Sequence, residues 1–122
     1  MSLVWAVAAS GAVGAPARYL VDSAVTRRWG RRFPLGTFVV NTSGALLLGF
    51  ITGLVLYHGL SGAPKVVVGT GFCGAYTTFS TLWFEVVRLS EEDERRTALR
   101  YLVLSTAAGL VAAGAGLALA AL

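Results

Sequence analysis

Charge is what this 122-residue chain has least of: Asp, Glu, Lys and Arg make up 13% of it, against about a quarter in a typical soluble domain. The few charges are also confined. Residues 1–17, 33–64, 66–84 and 101–122 carry none. Cysteine is nearly absent, and Cys73 alone excludes an intrachain disulfide framework. Histidine occurs once, as His58 near a helix end, with no nucleophile at a recognisable spacing. There is no metal-ligating cluster and no phosphate loop, so nothing in the chain points to an enzyme. No Lys or Arg precedes Arg18, which argues against a cleaved secretory signal and for a first mature span. No stretch alternates polar and apolar residues with period two, which excludes a barrel. The net charge of +4 does not form a free basic patch, so nucleic acid is not an expected partner.

What is present is apolar: 56% of the residues are hydrophobic. A helix needs roughly 20 apolar residues to cross the hydrocarbon core, and backbone polar groups in lipid must be satisfied within the segment. The spacing predicts an all-α, polytopic membrane protein, surrounded by lipid. Four transmembrane helices are expected over about 3–26, 34–59, 63–88 and 96–121, as one domain spanning 1–122. Small residues four apart, Gly11 with Ala15, Gly49 with Gly53, and Ala108, Ala112, Gly116 and Ala120, are placed to let helices approach closely.

Polar groups within spans are expensive and mark function. Asn41 lies about two turns into the second span. The third is stranger, because residues 69–81 hold Gly69, Gly71 and Gly74 together with Thr70, Thr77, Thr78, Ser80 and Thr81. A glycine-rich interruption at membrane depth is tolerated where it lines a cavity or coordinates an ion through freed carbonyls. In the fourth span Thr97, Tyr101, Ser105 and Gly109 fall four apart, a stripe on one face.

Gly11-Ala12-Val13-Gly14-Ala15 with Arg18-Tyr19, then residues 34–44 (PLGTFVVNTSG), then residues 71–81 (GFCGAYTTFST) ending at Glu85, resemble the Fluc (CrcB) fluoride channels in order and spacing. That resemblance implies a passive fluoride channel, exporting toxic cytoplasmic fluoride and built as an antiparallel dimer with a break in the third helix. It implies a structural sodium ion (Na+) at the dimer centre, held by the main-chain carbonyls of Gly74 and Thr77. It places Asn41 and Phe79 in the fluoride pore, Ser80 and Thr81 as nearby hydroxyl donors, and Tyr101 and Ser105 on a polar track. Arg18 is expected at a vestibule. One departure is visible: the family's second pore phenylalanine corresponds to Leu82 here. Glu85 is expected to pair with Arg88. A small multidrug-type dual-topology transporter is the alternative class, but its mid-span carboxylate has no counterpart before Asp22.

The arginines then set orientation. Arg18, Arg27, Arg28, Arg31 and Arg32 flank the first connection, and Arg88, Arg95, Arg96 and Arg100 flank the third. Of ten Lys and Arg, nine thus fall on one side, against Lys65 on the other. The positive-inside rule puts the Arg-rich loops in the cytoplasm and both termini outside the cell membrane. A chain locked that way cannot supply its own inverted partner. The expected assembly is a heterodimer with a paralogous, oppositely biased four-span subunit, with the homodimer as alternative. Reporter fusions at the two termini should therefore signal from one face only. Equal signals from both faces, with fluoride resistance from this chain alone, would instead establish a dual-topology homodimer.

Overall fold

The computed structural model describes residues 2–122, and every regular element in it is helical. Helix α1 runs Ser2–Trp29 and α2 runs Leu35–His58. The third passage is built in pieces: α3, Gly62–Lys65; a π-helical stretch, Val66–Cys73; α4, Gly74–Tyr76; and α5, Ser80–Glu91. Helix α6, Arg95–Ala121, closes the chain. The segments expected over 34–59 and 96–121 coincide with α2 and α6, the two helices long and apolar enough to cross a bilayer. Helix α1 has the length, about 42 Å at 1.5 Å per residue, but holds small residues, Arg18 and Asp22. In the third passage no single piece has the length.

The reversals need backbone that only glycine takes easily. Gly30, with φ 84°, ends α1 and donates its N–H to the Thr26 carbonyl at 2.8 Å. Gly59, with φ 66°, ends α2, and its N–H and that of Leu60 both turn back to the Leu54 carbonyl. This doubled closure satisfies the orphan carbonyl of a helix C-terminus.

These reversals make the passages antiparallel and sort the charge. The end of α1, the start of α2 and α5 share one cavity that includes Arg27, Arg31 and Arg88. Phe33 meets Tyr101 of α6 edge-on there, ring centres 5.5 Å apart. At the opposite end, His58 Nε2 lies 2.6 Å from the Ala120 carbonyl, joining the last turns of α2 and α6. A carbonyl only accepts, so the ring donates from Nε2.

Packing is by backbone approach rather than by a thick side-chain core. Gly49 lies against the Ala113 carbonyl, and Gly116 against the Leu46 carbonyl and the Phe50 nitrogen, so α2 and α6 touch main chain to main chain. Gly14 faces the Phe72 carbonyl, and Gly71 the Val7 carbonyl, which does the same for α1 and the π-helical stretch. In the first helix the packed pair is Gly11 and Gly14, whereas Ala15 is exposed. One turn of helix brings i and i+3 to the same face as readily as i and i+4. The exterior is apolar, with Trp5, Leu56, Phe84 and Leu110 all exposed, as a lipid-facing surface requires.

Gly116→Val should therefore destabilise the fold by about 1–3 kcal/mol, the usual range for overpacking. Gly114, whose added Cβ meets nothing within 4 Å, should accept Ala without loss. Thermal unfolding in detergent separates the two.

Candidate functional site

The centre of the third passage departs from ordinary helix twice. Between Val66 and Cys73 the bonding widens to the π pattern, and the Gly74 N–H is shared between the Gly69 and Gly71 carbonyls. Thr77 then adopts extended backbone, φ −79° and ψ 162°, and helix resumes only at Ser80. π-Helical turns are uncommon and tend to occur at functional positions.

Side chains hold the ends of this interruption. Asn41 of α2 makes two bonds to the main chain of Thr78: its Nδ2 donates to the Thr78 carbonyl, and its Oδ1 accepts the Thr78 N–H, each at 2.8 Å. The Thr78 hydroxyl accepts the Thr81 N–H at 3.2 Å and donates to the Thr81 hydroxyl at 3.1 Å. It thus caps the first turn of α5 as an N-terminal threonine does. The Thr77 N–H and hydroxyl both turn back to the Cys73 carbonyl, at 2.9 and 2.8 Å. Several carbonyls are left over, those of Gly74 and Thr77 among them. No main-chain N–H among the described residues reaches that of Gly74 or that of Thr77, and the latter receives only the Arg18 guanidinium at 3.3 Å.

The residues singled out in the sequence fall into three groups. Asn41, Gly74, Thr77 and Phe79 line a single open groove of about 370 Å³ on one face of the bundle. Gly74 and Phe79 are exposed on that face, Phe79 to 76%, with its ring edge-to-face on Trp83 at 6.1 Å. Thr81 instead lines the larger polar cavity, about 680 Å³, at the arginine-rich end. Ser80 is exposed between the two, its hydroxyl 3.4 Å from that of Thr78. Tyr101 and Ser105 make the third group. Both are buried, one turn apart on α6; the Tyr101 hydroxyl lies near those of Thr37 and Ser105, but neither Tyr101 nor Ser105 makes a hydrogen bond of good geometry. Buried polar atoms without partners are rare. Arg18 does not line the polar cavity; its half-buried side chain reaches inward to the interruption.

Other residues matter as much. Thr78 ties α2 to α5, and the signal for it was present: a threonine three residues before Thr81 at a helix start has the spacing of a cap. Thr37, buried, and Asp22 both line the polar cavity. Glu85 pairs with Arg88 there through Nε at 2.7 Å and Nη2 at 2.6 Å, and Glu92 takes Nη1 at 3.1 Å. Leu82 points the other way, packed with Leu89, Ala98 and Tyr101. An aromatic ring at that position would lie against α6 and not in the groove.

Residues 5–117 match the family described as CrcB-like protein, Camphor Resistance (CrcB). The chain is 52% identical over 118 residues to the fluoride-specific ion channel FluC 2 of Mycolicibacterium paratuberculosis, covering 96% of this chain and 93% of that protein. It is 48% identical over 115 residues to FluC 1 of Symbiobacterium thermophilum, covering 93% of each. Against FluC 1 of Leifsonia xyli the identity is 44% over 115 residues, covering 94% of this chain and 84% of the relative.

Because the Tyr101 hydroxyl is buried with no well-formed hydrogen bond, Tyr101→Phe should leave thermal stability unchanged or slightly raised. Removing a paired buried hydroxyl would instead cost about 1 kcal/mol. A clear fall in unfolding temperature would mean the hydroxyl is bonded within the protein.

Proposed function

This chain belongs to the CrcB family, and from that membership we propose that it is a fluoride-selective channel that lets cytoplasmic fluoride leave the cell down its gradient. The family is one of ion channels, so the chain is not an enzyme and the multidrug-type alternative is set aside. The observation that carries the reading is the pair of unpartnered hydroxyls, Tyr101 and Ser105, beside a polar cavity at the arginine-rich end. Fluoride is small and tightly hydrated, and a pore must replace its water with donors. Hydroxyl and amide N–H groups do this without a fixed charge that would hold the ion too long.

The path runs from the polar cavity, past Thr37 and Thr81, to the Tyr101 and Ser105 hydroxyls. Asn41 spends one amide hydrogen on the Thr78 carbonyl and keeps its second for the anion. Phe79 offers the positive edge of its ring on the open face, and Ser80 a hydroxyl beside it. At the mouth, Arg88 neutralises Glu85, so the carboxylate does not repel the anion. Arg18, held at the interruption, adds positive potential deeper in.

The open face is where a second subunit docks, antiparallel, in a four-crossing arrangement. A carbonyl without a partner cannot face hydrocarbon, where each unsatisfied group costs several kcal/mol. Yet Gly74, whose carbonyl is unpartnered, lies exposed on this face. No cluster of three His, Cys, Asp or Glu occurs among the described residues, so any metal here must be held by neutral oxygens. The carbonyls of Gly74 and Thr77 fit a hard cation. They would hold sodium jointly with the partner's oxygens, and the ion would supply fixed positive charge at the centre. A Cβ on Gly74 meets only the Gly69 carbonyl oxygen, at 3.9 Å. Nothing within the chain requires glycine there, and a side chain at this position would stand out on the face where the partner is proposed to dock. The nine-to-one arginine bias favours a paralogous partner over a second copy.

Liposomes holding the channel should release fluoride readily and chloride barely. Asn41→Asp, which replaces an amide donor by a like-charged acceptor, should abolish fluoride efflux, while Phe79→Ile should only weaken it. Comparable chloride and fluoride efflux would overturn the assignment, and full activity in Asn41→Asp would move the pore elsewhere.

A further inference from the structure

We infer that Asn41 is a positioning residue that keeps the third helix open at Thr77, and that Thr78 assists it, so that no main-chain N–H takes the Gly74 and Thr77 carbonyls from a cation, the Arg18 guanidinium being the one donor on Thr77. This rests on the sodium reading above and adds to it the device that creates the site.

Four N–H groups, those of residues 78–81, would close the interruption, and the ones that belong to Gly74 and Thr77 are the outer pair. In an uninterrupted α-helix the Thr78 N–H bonds the Gly74 carbonyl, and the Thr81 N–H bonds the Thr77 carbonyl. Both donors are diverted. Asn41 Oδ1 takes the first at 2.8 Å, and the Thr78 hydroxyl takes the second at 3.2 Å. The diverted donors are thus the natural main-chain partners of the Gly74 and Thr77 carbonyls. Helix already extends to Tyr76 and resumes at Ser80, and Thr77 differs from it chiefly in ψ, 162° against about −42°.

The reciprocal bond from Asn41 Nδ2 to the Thr78 carbonyl fixes the amide's orientation, so the oxygen faces the N–H. That makes the two ends of the amide separable by mutation. Asp keeps an acceptor for the Thr78 N–H and loses the donor. Leu loses both and leaves the Thr78 N–H no partner except the Gly74 carbonyl. In the same way Thr78→Val removes the capping oxygen with its shape retained, and Thr78→Ser keeps the oxygen.

The test is binding of radiolabelled Na+ to the assembled dimer in nanodiscs, alongside fluoride efflux from the same preparations. Asn41→Leu and Thr78→Val should each bind sodium about 10- to 100-fold more weakly, the range typical of residues that hold metal ligands in place. Thr78→Ser should bind as wild type. Asn41→Asp should retain sodium although it loses fluoride efflux, a split that general structural damage would not produce. If Asn41→Leu fails to assemble, the contrast between Thr78→Val and Thr78→Ser decides. Wild-type affinity in Thr78→Val, or loss of sodium in Asn41→Asp, overturns the inference and leaves the channel reading intact. A wild-type dimer that conducts fluoride but binds no sodium overturns the sodium site and this inference together.

Discussion

Asn41 and the main chain of Thr78 meet through two reciprocal hydrogen bonds of 2.8 Å, and the centre of the molecule is arranged around them. The pair joins α2 to the third passage at the point where that passage stops being helical. An amide can do this because it carries donor and acceptor side by side, matching the N–H and C=O of one residue. In a region with little water, satisfying both at once matters more than it would on a soluble surface. The same contact sets where α5 begins, because Thr78 is held with its hydroxyl over the Thr81 N–H. From that start follow the direction of Glu85 and Arg88 into the polar cavity and of Leu82 toward α6.

Around this centre the bundle relies on close backbone approach. Gly49 and Gly116 join α2 to α6, and Gly14 and Gly71 join α1 to the π-helical stretch. Bilayer lipid offers no hydrophobic incentive for helices to associate, so dense contact and interhelical hydrogen bonds must supply it. Ser43 with Tyr76, at 2.9 Å, and His58 with the Ala120 carbonyl are two such bonds. Many large side chains are correspondingly turned outward, and the largest fully buried ones among the described residues are Tyr101, Leu89 and Val40.

Much of this was legible in the sequence, and the failures have physical causes. Uninterrupted apolar runs marked α2 and α6 closely, because each is a single unbroken helix. The mixture of glycine and hydroxyl residues over 69–81 marked unusual backbone. Its details were not legible, since a π turn depends on which carbonyl an N–H reaches and not on composition. Asn41 stood out as a polar residue in an apolar run, but its contact with Thr78 is 37 positions away in sequence and leaves no local pattern. Arg18 was expected at a vestibule from the family resemblance, which says nothing of where its side chain turns. A long side chain can reach well beyond its own turn, and here it turns inward to Thr77. Tyr101 and Ser105 were visible as a stripe, but a stripe cannot show that both hydroxyls lack a partner.

The π-helical stretch over Val66–Cys73 also bears on how the chain can be edited. A π turn accommodates more residues than an α turn of the same span, and is equivalent to an insertion that the helix absorbs without a loop. Each residue of an α-helix advances about 100° around the axis. Deleting one residue from 66–73 would thus let the stretch close to α-helix with its flanks nearly in register, the change falling on residues inside it, such as Gly71 on its seat against Val7 and Ser10. Counting helical faces across these positions with an ordinary period assigns residues to the wrong side of the bundle, even where the identities on both flanks are aligned without a gap.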